Sequence, residues 1–306
     1  MKHLLSLHDW SPEEVNAVLA LAAKLKKEQK AGIPHPILQG KTLGMIFSKS
    51  STRTRVSFEV GMYQLGGHAL FLSEHDIQLG RGESIYDTAK VLSRFLDGIM
   101  IRTYKQSDVE DLAKYGSIPM INGLTDLLHP CQILADLLTL QEHGGALPGK
   151  KMAYVGDGNN IAHSLLFGCA KTGMEIAIAT PKNYACDESI VKAAIEDAKA
   201  TGAKVLITND PKEAASDADA VYTDTWVSMG QEDQKEEKVK SFAPYQVNED
   251  LMKLAKKNAI FLHCLPAYRG MEVTEGVIDG PQSAVFDEAE NRLHAQKAVM
   301  ATLMAD

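Results

Sequence analysis

The sequence predicts an α/β protein of two domains, each a parallel β-sheet flanked by helices, with an active site expected in the cleft between them. Three observations carry that expectation. Short apolar runs alternate with helical patterns along nearly the whole chain, which is the signature of strand–helix–strand units. The alternation restarts after Gly144-Gly145-Ala146-Leu147-Pro148-Gly149, the strongest linker signal present. The length of 306 residues suits two domains of ordinary size, each able to bury a core.

The elements follow in order. Ser11-Pro12-Glu13-Glu14 has the form of a helix start, with a capping hydroxyl, proline in the first turn and a glutamate three residues after the cap. That helix should run to about Lys30 and stop at Gly32-Ile33-Pro34. Strands are expected at 43–47, 68–72, 98–102 and 118–121, with helices near 53–65, 84–96 and 107–115. A long apolar helix from Cys131 to about His143 follows His129-Pro130. The second half gives strands at 152–155, 175–179, 204–208, 219–223 and 259–262. Its helices lie at 160–172 and 187–200, and a last helix runs from Glu288 to Met304.

Composition narrows the function classes. Apolar residues make up 45% and charged residues 24%, as in an ordinary globular chain. A net charge of −8 weighs against a nucleic-acid partner. It leaves room for an anionic substrate, since a few local arginines dominate one pocket. No apolar run approaches the ~20 residues of a membrane span. The start, Met1 to Asp9, is too short and too soon charged for a signal peptide. Cys131, Cys169, Cys186 and Cys264 lie far apart without a C-x-x-C pair. Reduced thiols in a cytoplasmic protein are expected, with neither a disulfide framework nor a metal site.

Two motifs mislead. Gly144 to Lys150 matches G-x-x-x-x-G-K, but Lys151 stands where a magnesium-binding hydroxyl belongs, and the segment precedes a strand. Gly156-Asp157-Gly158 opens a helix after a strand, but Ile161 occupies the third glycine position of a dinucleotide turn. Neither an ATPase nor a nicotinamide enzyme is expected, and no cofactor is called for.

Ligands of parallel sheets gather at the carboxyl ends of strands, and five polar segments lie there. Ser50-Ser51-Thr52-Arg53-Thr54-Arg55 joins a strand to a helix start. Free N–H groups, hydroxyls and two guanidiniums at such a turn can grip a phosphate from several sides. Arg102 ends a strand, placed to neutralise a phosphate or polarise a carbonyl oxygen; alone it reads more readily as a surface charge. His129 and Gln132 fall on one side of the first turn of the long helix, suited to a carbonyl oxygen gaining charge, or simply to capping. Asp224 suits an ammonium group, while Ser228 and the Met229 N–H suit a carboxylate. The charged stretch from Gln231 to Lys240 has the character of a solvent-exposed lid. Cys264 ends another strand, although a lone cysteine is more often a small buried apolar group.

Together these segments resemble the aspartate/ornithine carbamoyltransferase family in order and spacing along nearly the whole chain. Aspartate-specific members carry a lysine just before a G-E-[ST] triplet, whereas Ile77 to Ser84 here contains none. Asp224 to Gly230, His263 to Pro266 and Asp157 to Asn160 resemble the members that act on ornithine. The resemblance implies a carbamoyl-phosphate-binding domain over 1–143, joined by the C-terminal helix 288–306, and an ornithine-binding domain over 150–285. It implies carbamoyl transfer from carbamoyl phosphate to the δ-amine of L-ornithine, giving L-citrulline and phosphate. Ser51, Thr52, Arg53 and Thr54 would hold the phosphate, with Arg102 and with Gln78 from an adjacent subunit. His129, Arg102 and Thr54 would face the carbonyl oxygen. Gln132 and the Cys264-Leu265 backbone, with Arg292, would fix the carbamoyl amino group. Asn122, Asn160, Ser228 and Met229 would bind the amino-acid head group, and Asp224 its α-ammonium. Cys264 and Asp224 would orient the amine or accept its proton. A trimer, or an assembly of trimers, follows from Gln78 acting across subunits. Carbamoyl transfer to putrescine, lysine or an acylated ornithine is the nearest alternative, and a non-catalytic relative is the second.

Overall fold

Ser11 caps the first helix, α1 (Pro12–Lys30), by accepting from the Glu14 N–H, and Glu14 answers by accepting from the Ser11 N–H. Both orphan donors of that helix start are thus satisfied by the residues the sequence singled out. The structure is a computed structural model and describes residues 2–227, 233 and 235–305. It separates into two compact units, one of Met1–Leu138 with Glu290–Asp306 and one of Thr139–Ala289.

The first unit holds strands β1 (Thr42–Phe47), β2 (His68–Ser73), β3 (Gly98–Arg102) and β4 (Met120–Leu124). They pair in parallel in the order β2-β1-β3-β4. Helices α2 (Thr52–Gln64), α3 (Ile85–Leu92) and α4 (Gln106–Tyr115) make the crossovers that parallel pairing demands. Strands β1 and β3 are almost wholly buried, as expected for a sheet covered on both faces. Edge strand β2 is different, with Leu70 and Phe71 exposed. The third helix stops at Leu92 rather than 96, because Ser93 to Leu96 turn back so that Asp97 reaches the Thr42 backbone. Leu4 adds a short parallel bridge to Ile121 outside β4, which the sequence pattern did not reveal.

The second unit holds β5 (Lys151–Val155), β6 (Glu175–Ala179), β7 (Lys204–Thr208), β8 (Ala220–Tyr222) and β9 (Ile260–Leu262). The order is β7-β6-β5-β8-β9, again all parallel. Helix α5 (Pro130–Gly144) precedes it, and α6 (Asn160–Thr172) and α7 (Glu188–Ala198) cross between its first strands. Short helices α8 (Pro211–Ala215), α9 (Lys235–Phe242), α10 (Glu249–Met252) and α11 (Glu275–Ile278) follow, and α12 (Val285–Met304) closes the chain. The four short helices were absent from the sequence reading, because each is too brief to show a period. Gly144 to Lys150 forms the turn from α5 into β5, as its position before a strand required. Among the described residues no helix is long and apolar enough to cross a membrane.

Strand order reverses beside β1 in the first sheet and beside β5 in the second. Such switch points leave a crevice beyond the strand ends. Chain departures from β1 and β3 flank one, and those from β5 and β8 flank the other.

Gly158 shows how tightly the second departure is built. A Cβ there would lie 2.4 Å from the Cys186 nitrogen, 2.5 Å from the Ala185 carbonyl carbon and 2.6 Å from the Tyr184 oxygen. All three are backbone atoms, so no side chain can swing away. Gly158→Ala is therefore expected to destabilise the protein by about 1–3 kcal/mol, as overpacking does. A urea midpoint equal to that of the unaltered protein would refute this.

Candidate active site

Ser51 caps α2, its hydroxyl accepting from the Thr54 N–H at 3.2 Å. Thr54 is fully buried, and its Oγ1 accepts from the Arg292 guanidinium at 2.8 Å. Arg292 belongs to α12, so the last helix secures the first turn of α2. Thr52 is exposed and Arg53 half-buried at the same helix start, where the backbone dipole favours an anion. Arg102 is buried at the end of β3, where the pairing with β4 shifts register between Ile101 and Arg102. Such irregularities re-aim a side chain.

His129 is buried immediately before α5. Burial holds its pKa well below 6.5, and the positive charges of Arg292, Arg102 and Arg53 lower it further. The ring is therefore neutral at physiological pH, able to donate one N–H without adding a charge. Gln132, one turn on, donates from Nε2 to Asp136 Oδ1 at 2.8 Å, both residues fully buried. That bond fixes the amide so that Oε1 is the acceptor it offers. Asp136 was missed by the sequence reading, although its i, i+4 spacing from Gln132 was a usable signal.

Two expectations for this unit change. Arg292 carries only donors, so it cannot accept from a carbamoyl amino group; its observed task is to hold Thr54. Asn122 is fully buried in β4, and its Nδ2 donates to the Leu5 carbonyl at 2.9 Å and to Gln106 Oε1 at 3.3 Å. It ties down the N-terminal segment beside the sheet, which removes it from the head-group set. Gln78 is exposed in a short 3-10 turn, Gln78–Arg81, as a residue serving an adjacent subunit would be.

The second unit gathers a different set. Asp224, just beyond β8, is buried and accepts from Asn159 Nδ2 at 2.8 Å, from the Thr225 N–H at 2.8 Å and from Cys264 Sγ at 3.2 Å. Asn159 also caps α6 through its Oδ1. It was passed over in favour of Asn160, which is half-buried at the first position of that helix. Cys264 is half-buried just past β9. The other conspicuous thiols, Cys131 and Cys186, are buried, and burial pushes each pKa up to about 12. They are inert small apolar groups. Asp224, His263 and Cys264 bring ligand-type atoms within 4.8 Å of one another. His263 has both ring nitrogens engaged, Nδ1 by the Leu265 N–H and Nε2 by Glu272, so hydrogen bonding accounts for the cluster.

Ser228 and Met229 lie outside the described residues. Most of the described residues of the charged stretch 231–240 are exposed as expected (Asp233, Lys235, Glu236, Glu237 and Lys240), but one turns inward. Lys238 of α9 is buried and donates to Asp157 Oδ2 at 2.6 Å, and Phe242 lies in the core. Burial raises the Asp157 pKa even though the Lys238 contact opposes it. A charge-rich helix thus turns one lysine inward to a buried carboxylate, which composition alone does not reveal.

Residues 2–142 match the family described as "Aspartate/ornithine carbamoyltransferase, carbamoyl-P binding domain", and residues 148–303 its "Asp/Orn binding domain". The chain belongs to the aspartate/ornithine carbamoyltransferase family. An ornithine carbamoyltransferase of Caldicellulosiruptor saccharolyticus is 61% identical over 300 residues, covering 98% of this chain and 97% of the relative. The solved ornithine carbamoyltransferase of Pyrococcus furiosus superposes with a TM-score of 0.96 at 55% identity, over 99% of this chain and 97% of that one. The anabolic ornithine carbamoyltransferase of Campylobacter jejuni superposes with a TM-score of 0.93 at 46% identity, over 99% of both chains. The carbamoyltransferase fold, two parallel α/β sheets flanked by helices, is therefore the fold of this chain.

The neutral state of His129 has a consequence for stability. Its folded pKa lies below the unfolded value, so below about pH 6.5 the unfolded chain binds a proton that the folded chain refuses. Stability from this group is complete above that pH and is lost as pH falls, by up to about 1.4 kcal/mol per unit. Denaturant midpoints at pH 7.5, 6.5 and 5.5 should therefore fall more steeply for the wild type than for His129→Gln. Parallel curves would contradict the assignment.

Proposed function

We propose that this chain transfers the carbamoyl group of carbamoyl phosphate to the δ-amine of L-ornithine, releasing phosphate and L-citrulline. The observation that carries the reading is the hydrogen bond from Cys264 to Asp224, with Asn159 on the same carboxylate. It stands in a chain 61% identical to a protein that bears this activity as its name. A carboxylate ringed by a thiol and an amide, at the ends of neighbouring strands, suits a diamino acid better than a dicarboxylate.

In this reading Ser51, Thr52, Arg53 and Thr54 hold the phosphate, with Arg102 and an adjacent subunit's Gln78. The ornithine δ-amine is a nucleophile only when neutral, and its free pKa lies near the ~10.4 of lysine. A site rich in guanidiniums disfavours its ammonium form. The amine attacks the carbamoyl carbon, a C–N bond forms and the carbonyl oxygen takes the charge. Arg102 and the neutral His129 meet that oxygen with donors already in place. Gln132 Oε1 and the Leu265 carbonyl accept from the carbamoyl amino group. The C–O bond to phosphate then breaks as the departing phosphate takes the proton that the amine loses, and the arginines stabilise the hydrogen phosphate dianion. Asp224 binds the α-ammonium, Asn160, Ser228 and Met229 bind the head group, and Cys264, whose thiol donates to Asp224, orients the amine. Holding both substrates in register supplies much of the rate.

Arginine metabolism in the cytoplasm, in the direction of synthesis or of breakdown, is the setting proposed for this reaction. The trimeric assembly is supported by an apolar stripe on α2, Val56, Val60 and Tyr63, exposed by 51%, 36% and 81%. Leu70 and Phe71 on edge strand β2 are exposed too, and such faces belong against a partner.

Two measurements test these readings. Citrulline should form with ornithine, and not with aspartate, putrescine, lysine or N-acetylornithine, and Asp224→Asn should lower turnover about 100-fold or more. Turnover with another amine, or a wild-type rate for Asp224→Asn, would displace the ornithine assignment. Light scattering should give three chains or a multiple of three, and Tyr63→Asp should yield inactive smaller species. An active wild-type monomer would overturn the shared-site reading.

A further inference from the structure

The turn after β9 places Leu265 at a φ of +56°, a region that a β-carbon disfavours and that persists only when its surroundings enforce it. The enforcing contacts are visible. The Leu265 N–H donates to His263 Nδ1 at 2.9 Å. An Nδ1 that accepts leaves the ring proton on Nε2, and Nε2 faces Glu272 Oε1 at 3.3 Å. The same oxygen accepts from the Tyr268 N–H at 2.5 Å. His263 and Glu272 are both fully buried. From the other side, Glu288 Oε2 accepts from the His263 N–H at 2.8 Å, and Glu288 Oε1 from the Tyr222 hydroxyl at 3.2 Å.

Glu272 is costly for the fold. Its Oε2 is buried with no hydrogen-bond partner among the described residues, while Oε1 takes both His263 Nε2 and the Tyr268 N–H, two donors that an apolar side chain would strand. Both donors belong to the turn that begins at His263, so the carboxylate holds that turn from within. We infer that Glu272 is a positioning residue, which acts through His263 to fix the left-handed Leu265 and so to aim the Leu265 carbonyl and the Cys264 thiol. The direction of aim rests on the carbamoyl-transfer reading. The holding of the turn does not.

The experiment compares wild type with Glu272→Leu, Glu272→Gln, His263→Ala and His263→Asn, by citrulline kinetics and by amide hydrogen exchange over residues 264–268. Glu272→Leu should lower kcat on the order of 10- to 100-fold, as a slight misplacement of reacting groups does, with KM for ornithine unchanged. Its 264–268 amides should exchange faster than in wild type. Glu272→Gln keeps an oxygen acceptor and should stay close to wild type. Asparagine at 263 offers an acceptor to the Leu265 N–H and should recover rate that alanine loses. Wild-type kcat and exchange in Glu272→Leu would overturn the inference, as would a glutamine variant as slow as the leucine one. If Glu272→Leu does not fold, equal rates for the two His263 variants would overturn it. A wild type that makes no citrulline would defeat the reaction assigned above. The exchange comparison would then decide the positioning role, upholding it by faster exchange and ending it by none.

Discussion

Parallel strand pairing is the constraint on which the candidate site depends. Parallel strands need a crossover between each pair, so every strand of a sheet points the same way and every departing loop leaves from one edge. The sheet interiors are then free to be wholly apolar, and chemistry is confined to the residues just past each strand. Ser51 to Thr54 follow β1, Arg102 ends β3, and His129 follows β4. In the second sheet Asp157 to Asn160 follow β5, Asp224 follows β8, and His263 to Leu265 follow β9. Six segments scattered over more than two hundred positions become two local sets without any of them being close in sequence.

The two sets manage charge in opposite ways. In the first, three guanidiniums surround a histidine that burial and their own field keep uncharged. The result is a site whose positive charge is fixed, with a neutral donor in its midst. In the second, carboxylates are tied by neutral or backbone donors: Asp224 by Asn159, Thr225 and Cys264, and Glu288 by Tyr222 and the His263 N–H. Only Asp157 takes a full counter-charge, from Lys238. Fixed positive charge falls to one unit and tied carboxylates to the other, which is the division that the proposed anionic donor and amine acceptor call for.

Much of this was legible in the sequence, for definite reasons. Seven of the nine described strands appear as apolar runs because parallel strands buried on both faces have no polar alternation to confuse them, and edge strands β2 and β7 are apolar enough to show without being buried. The Ser11 cap and the start of α5 at Pro130 followed from rules that act within four residues. What escaped notice depended on distance. Asn122 has the right type and neighbourhood for a ligand, but its amide is taken by Leu5, 117 residues earlier. Lys238 lies in a segment as charged as any loop, and only the fold shows it meeting Asp157, 81 positions away. Arg292 was found, yet assigned to the wrong atom, because no local pattern tells which hydroxyl a guanidinium will reach.

Arg292 and Thr54 stand 238 residues apart, and that separation orders events at the ribosome. Synthesis at roughly 5–20 residues per second makes Thr54 wait tens of seconds for its partner. All of the second unit is translated in that interval, and the first unit still lacks α12. A nascent chain can therefore finish its middle before its beginning. The bracing of that turn is among the last features acquired, and a polypeptide cut short before α12 lacks it.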